Sequence, residues 1–278
     1  MKKIFPNIGD IVVLVLLFLV VQLGVGIVLG LLGVTPPNIA STDSVDAVQY
    51  MEQQEALGRY TAFVYFVLMV ASLIVMGLYV RLRGGRRAIK IRHSVSGIDP
   101  NMLILGVVWL LASQIILEPL VELLPESESP GVGRGLWAWV TIAVAAPVLE
   151  ELLCRGLLYE IVRKRWGMGL AIPFSALFFG VIHADISTMV VAIVAGVILA
   201  MIYERTSSIF STMIIHSLNN IMAFSLVCFG LDEMSFRELL GGGMVYYITY
   251  AAAALLFVAI AVGMVVKLHK KSKQNDIK

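Results

Sequence analysis

The feature that most constrains this chain is a series of long apolar segments. A helix that crosses a bilayer needs about 20 consecutive, mostly apolar residues. Segments of about this kind occupy residues 11–34, 61–80, 102–124, 136–158, 170–186, 187–202, 209–229 and 244–266. Backbone polar groups in hydrocarbon must be bonded within the segment, so each one is predicted to be helical. We therefore expect an all-α polytopic membrane protein of about eight transmembrane helices, folded as one membrane domain over residues 1–278.

The composition agrees with a chain whose main solvent is lipid. Hydrophobic residues make up 59% and charged residues 14% of the sequence, with a mean hydropathy of +0.90. Soluble domains have roughly 45–50% and about 25%. No basic surface suits nucleic acid, and the two cysteines, Cys154 and Cys228, lie in apolar segments without the spacing of a disulfide framework or metal site. The expected surroundings are therefore a lipid bilayer, without nucleic acid as a partner. The sequence predicts no oligomeric state.

Charged residues alternate in sign from one connecting segment to the next. Basic segments contain Lys2, Lys3, Arg81, Arg83, Arg86, Arg87, Lys90, Arg92, Arg163, Lys164, Arg165, Lys267, Lys270, Lys271 and Lys273. Acidic segments contain Asp43, Asp46, Glu52, Glu55, Glu122, Glu126, Glu128, Asp232, Glu233 and Glu238. By the positive-inside rule, both termini are expected in the cytoplasm, in a bacterial cytoplasmic membrane. Residues 35–60 are expected to form an external loop, either a solvated connector or one with an amphipathic surface helix.

Several polar side chains lie inside the apolar segments. They are Glu150, Glu151 and Arg155 in the fourth segment, His183 in the fifth, and His216 and Asn220 in the seventh. Each ionisable group inside a span costs roughly 2.5–3.5 kcal/mol on insertion scales, so such groups are candidates for function. Counted along the helices, three spans place them at a similar depth. A polar cavity within the membrane is therefore predicted.

Spacing along the helices suggests partners for these groups. Glu151 and Arg155 are four residues apart and can form an ion pair on one helix face. Glu150 is rotated about 100° from Glu151 and is the better candidate for a reactive carboxylate. His216 and Asn220 are also four residues apart, so both can direct hydrogen-bonding groups to one point. Donors fixed in this way can stabilise a developing oxyanion.

Pro147 precedes Glu150 by three residues. It removes a backbone donor from the helix interior, which normally kinks a helix. The kink would admit water beside the carboxylates. The alternative interpretation is that Pro147 only shapes packing.

Three motifs in this region resemble one known family. Glu150–Arg155 matches E-E-x-x-x-R, Phe179–His183 matches F-x-x-x-H, and His216–Asn220 matches H-x-x-x-N. Together they resemble the CAAX protease and bacteriocin-processing group of intramembrane proteases. The resemblance covers residues 136–220, the predicted catalytic core. Cys154 stands where many relatives have an aromatic residue, a departure expected to affect packing more than chemistry.

The resemblance implies roles for the motif residues. Glu150 and His183 would hold and deprotonate a water, His216 and Asn220 would stabilise the oxyanion, and Glu151 and Arg155, with Phe179, would support them. It also implies a water-filled cavity that opens to the cytosol.

Metal dependence stays open at this point. The family is often called a metalloprotease family. Glu150, His183 and His216 could supply the His/His/Glu ligands of a catalytic zinc ion. However, the chain has no H-E-x-x-H helix. We favour a metal-independent mechanism as a hypothesis.

The predicted function is that of an intramembrane endopeptidase that acts on a membrane-associated or lipidated peptide or protein. One alternative is a non-catalytic membrane scaffold or bacteriocin-immunity factor of the same family. Another is a small transporter whose buried carboxylates relay protons. The absence of inverted repeats and of paired broken helices speaks against the transporter.

Overall fold

The computed structural model describes residues 5–39, 46–85, 88–125, 131–183, 185–231 and 234–276. Its main helices are α1 (Ile8–Leu31), α2 (Ala47–Gly84), α3 (Pro100–Val121), α4 (Leu136–Trp166), α5 (Met168–Val181), α6 (Ile186–Thr206), α7 (Ile209–Cys228) and α8 (Gly243–Asp276). Within the described part of the chain there is no β-strand, only an isolated bridge between His93 and Ser208. Seven of these helices are long and apolar enough to cross a membrane, and α5 is a shorter apolar helix. The predicted all-α polytopic membrane fold is confirmed.

The second helix begins earlier than the sequence predicted. Asp46 caps it by accepting a hydrogen bond from the backbone N–H of Gln49 at 2.8 Å, and the helix runs unbroken to Gly84. Residues 47–60, predicted to belong to an external loop, are therefore helical and continuous with the second span. Hydropathy alone missed these first turns because their polar residues favour a helix without being apolar. The predicted charges at Lys2, Lys3, Asp43, Arg86, Arg87, Glu126, Glu128, Asp232 and Glu233 lie outside the described residues.

Connections between helices gather at two ends of the bundle, which we name by their charge. At the basic end, Arg92 from the connection after α2 contacts Glu160 of α4 and Glu204 of α6. Lys271 of α8 donates to the carbonyl of Glu204 there. Further basic residues at this end are Arg81, Arg83, Lys90, Arg163, Lys164, Arg165, Arg205, Lys267 and Lys270.

The acidic end is formed by the opposite connections. The backbone N–H of Phe236 donates to Glu118 of α3, and Ser187 donates to the carbonyl of Pro125 at 3.3 Å. The described acidic residues at this end include Glu118, Glu122, Asp185 and Glu238.

Close packing of α5 on α6 fixes two of the site-bearing helices. Gly196 of α6 is buried, and a β-carbon there would lie only 2.8 Å from the Cα of Ala176 on α5. Small residues at such contacts let membrane helices approach closely. The backbone of α6 is thereby brought within reach of side chains on α4, as described below.

Candidate active site

The fourth helix departs from regular α-helix on both sides of the two glutamates. Residues Thr141–Ala145 and Leu152–Tyr159 are π-helical, and the short α-helical stretch Ala146–Glu151 lies between them. Single π-helical turns inside α-helices are frequently found at functional sites. Here they change the directions in which the side chains before and after Glu150 project.

Pro147 explains part of this geometry. Proline has no N–H, so the carbonyl of Ala143, four residues earlier, loses its usual helical donor. The hydroxyl of Ser217 on α7 donates to that carbonyl instead. The side-chain amide of Asn220, one helical turn further, donates to the carbonyl of Ile142 at 3.2 Å. Donors on α7 therefore bond to carbonyls of α4 in the turn before Pro147, and admission of water by a kink at Pro147 stays a prediction.

Glu151 and Arg155 form the ion pair that their spacing predicted. Arg155 Nη1 lies 2.7 Å from Glu151 Oε1, and both side chains are fully buried. Arg155 Nη2 also donates to the carbonyl of Gly196 at 2.9 Å. The guanidinium thus holds the Glu151 carboxylate and joins α4 to α6.

His216 lies between the two glutamates. Its Nδ1 is 3.3 Å from Glu151 Oε1, and its Nε2 is 3.7 Å from Glu150 Oε2. The other oxygen of Glu150 accepts a hydrogen bond from the hydroxyl of Tyr65 at 2.8 Å. Glu150 is 6% exposed and His216 5% exposed. One imidazole ring therefore faces both carboxylates, and little of either His216 or Glu150 is exposed.

Phe179 packs against three of the predicted site residues. Its ring centroid lies 5.1 Å from that of His183 and 5.4 Å from that of His216, in edge-to-face arrangements. Its other neighbour is the Arg155 guanidinium, 4.7 Å from the ring centroid. Such contacts favour one orientation of each partner. Phe179 therefore sets the spacing between the two histidines.

A backbone hydrogen bond fixes the protonation pattern of His183. Its Nδ1 lies 2.7 Å from the carbonyl oxygen of Phe179. A carbonyl can only accept, so Nδ1 carries the hydrogen in this arrangement. In the neutral ring, Nε2 then has the lone pair and can accept a proton or a hydrogen bond from water.

A large cavity reaches these groups. It has a volume of about 1230 Å³ and is lined by His183, His216 and Asn220 together with apolar residues of α3 and α6. Gln114 and Asn219 also line it and are hydrogen-bonded to each other at 2.6 Å. The two glutamates are not among the described residues that line the cavity, so the predicted site residues on its wall are Phe179, His183, His216 and Asn220.

The candidate zinc ligands do not form a metal-binding group as placed. Among the described residues, no three His, Cys, Asp or Glu side chains come together with the geometry to hold a metal ion. His183 uses Nδ1 on a carbonyl, and both nitrogens of His216 face carboxylates. As placed, Glu150, His183 and His216 therefore do not fit a metal ion.

The structure gathers all seven sequence-predicted site residues into one region, though their catalytic roles stay predictions. Sequence reasoning missed Tyr65, whose hydroxyl bonds to Glu150 from α2, and Ser217, which satisfies the α4 backbone. A buried tyrosine hydroxyl usually finds a partner, which is the signal that could have drawn attention to Tyr65. Cys154 is fully buried, as expected for a packing residue.

Comparison with known proteins supports the resemblance that the motifs suggested. Residues 132–222 match the model of the family described as "Type II CAAX prenyl endopeptidase Rce1-like". This segment contains all three motifs, and it is the part of the chain that is similar to the family. The chain is thus an integral membrane protein with a region similar to a membrane endopeptidase family.

Two curated relatives are similar over parts of their length. One is "CAAX prenyl protease 2" of Homo sapiens, 27% identical over 124 residues, which are 37% of this chain and 38% of the relative. The other is "Putative membrane peptidase YdiL" of Bacillus subtilis (strain 168), 26% identical over 110 residues, 38% of this chain and 45% of the relative. The matches thus span less than half the length of each relative. No solved structure matches the chain.

Proposed function

We propose that this protein is an intramembrane endopeptidase that hydrolyses a peptide bond of a membrane-associated or lipidated substrate. The observation on which the proposal rests is the position of His216, between two buried carboxylates and on the wall of a cavity that also meets His183 and Asn220. A carboxylate beside imidazoles in a shielded cavity is suited to moving a proton from water to a leaving amine.

The proposed reaction uses water as nucleophile. His183, which lines the cavity, would accept a hydrogen bond from that water at Nε2. Glu150, whose carboxylate lies 3.7 Å from His216 on the cavity wall, would take a proton from the water as its oxygen attacks the carbonyl carbon. The same proton would pass to the amine as the C–N bond breaks, so Glu150 returns to its starting state.

Two donors would stabilise the tetrahedral oxyanion. Asn220 has two amide hydrogens, and only one is needed for its bond to the carbonyl of Ile142. His216 would donate from Nε2, the side that faces Glu150, when both of its ring nitrogens carry hydrogen and Nδ1 is held by Glu151. Glu151, Arg155 and Phe179 would act as positioning residues that hold His216 and His183 in place.

Cleavage of peptides by the full chain in liposomes tests the proposal. The panel would contain peptides with and without a lipid group, and the variants would be Glu150→Gln and, as a matched control on the same helix, Glu160→Gln. We expect Glu150→Gln to lower the rate by about 10²- to 10⁴-fold, while Glu160→Gln keeps the rate of each folded molecule.

Unchanged cleavage by Glu150→Gln would contradict the role of that residue. A wild-type chain that cleaves nothing in the panel would favour the scaffold or immunity function. A parallel assay with a chelator decides whether a metal takes part.

A further inference from the structure

One face of α3 forms a wall of the cavity, although this helix contains none of the predicted site residues. The cavity is lined at intervals of four residues by Leu110, Gln114, Glu118 and Glu122. Residues at this spacing lie on the same face of a helix. From this face, Gln114 reaches α7 and donates a hydrogen bond to Asn219. Gln114 therefore connects α3 with the helix that carries His216 and Asn220.

Three side-chain amides form a row of hydrogen bonds along the cavity wall. Gln114 Nε2 donates to Asn219 Oδ1 at 2.6 Å, and Asn219 Nδ2 donates to Asn220 Oδ1 at 3.5 Å. Asn220 Nδ2 then donates to the carbonyl of Ile142 at 3.2 Å. All three amide side chains line the cavity. The row thus runs from α3 through α7 to α4.

The direction of this row is set by its last acceptor. A backbone carbonyl can only accept, so Asn220 must turn its NH2 group toward Ile142. The oxygen of Asn220 is then available to Asn219, which must donate to it. The oxygen of Asn219 in turn accepts from Gln114. Gln114 is therefore the first donor of the row, and its own oxygen takes no part in it.

The remaining groups of Gln114 complement a peptide backbone. A glutamine amide has two donor hydrogens and an oxygen with two lone pairs. Within the part of the chain that the structure describes, only one of these hydrogens has a partner. The side chain is only partly buried, and its neighbours on the cavity wall include Leu110, Val191 and Leu199. A few fixed polar groups in a mostly apolar wall determine the orientation of a ligand.

We infer that Gln114 is a substrate-binding residue whose oxygen accepts a hydrogen bond from a backbone N–H of a peptide in the cavity. This inference rests on the proposed function, because it takes a peptide as the ligand. It assigns recognition of the main chain to α3, whereas α4, α5 and α7 supply the proposed reaction. Asn219 is a positioning residue, since it holds the NH2 group of Gln114 and leaves the oxygen available.

Peptides that lack a single N–H test this contact without turnover. The probe is a fluorescein-labelled, end-blocked octapeptide of alternating alanine and leucine, because recognition of the main chain does not depend on particular side chains. In each analogue, one peptide bond is replaced by an ester, which has no N–H. Affinities would be measured by fluorescence anisotropy on the full chain in nanodiscs, with binding to empty nanodiscs subtracted. A Glu150→Gln background keeps the peptide uncleaved.

Two variants in this background are compared with it. Gln114→Met replaces the amide by an apolar chain of similar length. Gln22→Met is the matched control, because Gln22 donates to Ser72 at 3.0 Å and is not among the described residues that line the cavity. Each variant is scored by the ratio of its affinities for the amide and ester peptides. A lower folded fraction does not change this ratio.

We expect the ester at one position to weaken binding about fivefold in the background protein, as for the loss of one neutral hydrogen bond. Gln114→Met should weaken binding of the all-amide peptide by a similar factor and should bind that ester equally well. Gln22→Met should keep the fivefold difference.

The same ratios in Gln114→Met and in the background protein, at every position, would overturn the inference. Absence of binding of the all-amide peptide would overturn it as well. Because the readout is binding, a wild-type chain that cleaves nothing leaves these ratios interpretable. Unchanged ratios, in turn, leave the peptide-cleavage test unaffected.

Discussion

Two groups of charges include residues of the same helix, α4, and they differ in balance. In the basic-end cluster, two arginines face two glutamates, and two tyrosine hydroxyls donate to the same carboxylates; its members are Arg92, Tyr159, Glu160, Arg163, Tyr203 and Glu204. Every carboxylate there has at least one cation and one neutral donor. The formal charges of these two arginines and two glutamates cancel, and Lys271 of α8 donates to the backbone carbonyl of Glu204 beside them.

The candidate site, about three helical turns away, is not balanced in this way. It has two glutamates, Glu150 and Glu151, but only one guanidinium, which pairs with Glu151. Glu150 is left with a tyrosine hydroxyl and an imidazole nitrogen at 3.7 Å. The balanced basic-end cluster is therefore suited to holding helices together. The candidate site, which has one carboxylate more than it has guanidinium groups, is suited to exchanging protons.

Removing the cation from the unbalanced group should have the largest effect on folding. Arg155→Met leaves Glu151 fully buried without its partner, and breaking a buried ion pair in this way costs about 3–5 kcal/mol. We expect a loss of that size in the free energy of unfolding, measured by denaturant titration in detergent, together with loss of peptide cleavage.

Arg155→Lys provides the graded control. It keeps the charge but lacks the second arm that reaches the carbonyl of Gly196. The loss in the free energy of unfolding should be smaller for Arg155→Lys than for Arg155→Met. Equal losses in the two variants would contradict a role for the charge.

A smaller effect is expected from the balanced cluster. In Arg92→Met, Glu204 keeps Arg163 and Tyr159, and Glu160 keeps Tyr203, so each carboxylate retains a donor. We expect a loss of about 1.5–3 kcal/mol in the free energy of unfolding, the range of a hydrogen bond to a charged group. The cleavage rate of each folded molecule should change less than twofold.

Arg205→Met is the matched control, because Arg205 is exposed at the same end of the bundle. Its stability should equal that of the wild type. If Arg92→Met abolished cleavage while leaving the fold intact, the two groups of charges would be functionally coupled and the comparison would fail.

Much of the fold could be predicted because the physics of lipid is restrictive. Length and apolarity located the spans, and the i,i+4 spacing of Glu151 and Arg155 gave their ion pair correctly. The start of α2 was missed because its polar turns give no hydropathy signal, although Asp46 caps it. Local patterns therefore predicted elements and pairs within one helix.

Contacts between helices were harder to predict. Spacing predicted that His216 and Asn220 share one face of α7, but it could not predict that the nitrogens of His216 face Glu150 and Glu151 on another helix. The carbonyls of Ala143 and Ile142, in the turn before Pro147, accept hydrogen bonds from side chains of α7. Sequence patterns within α4 could not predict these donors. Tyr65, eighty-five positions before Glu150, becomes its neighbour only when α2 packs on α4.

The smallest predicted effect concerns this long-range contact. Tyr65→Phe removes the hydroxyl that donates to Glu150 at 2.8 Å and keeps the ring. A hydrogen bond to a charged group contributes at least about 1.5 kcal/mol, so the cleavage rate should fall roughly tenfold. The fall is expected in kcat, because Glu150 loses the donor that fixes its orientation toward His216. KM should stay nearly constant.

Tyr60→Phe, on the same helix and outside the site contacts, is the control and should cleave like the wild type. A drop in stability without a drop in the rate of each folded molecule would assign Tyr65 to packing. A raised KM at constant kcat would instead place it in substrate binding. A fall in kcat alone supports the proposed role of Tyr65. It would mean that Glu150 depends on a neutral hydroxyl donor, whereas each carboxylate of the basic-end cluster is paired with an arginine.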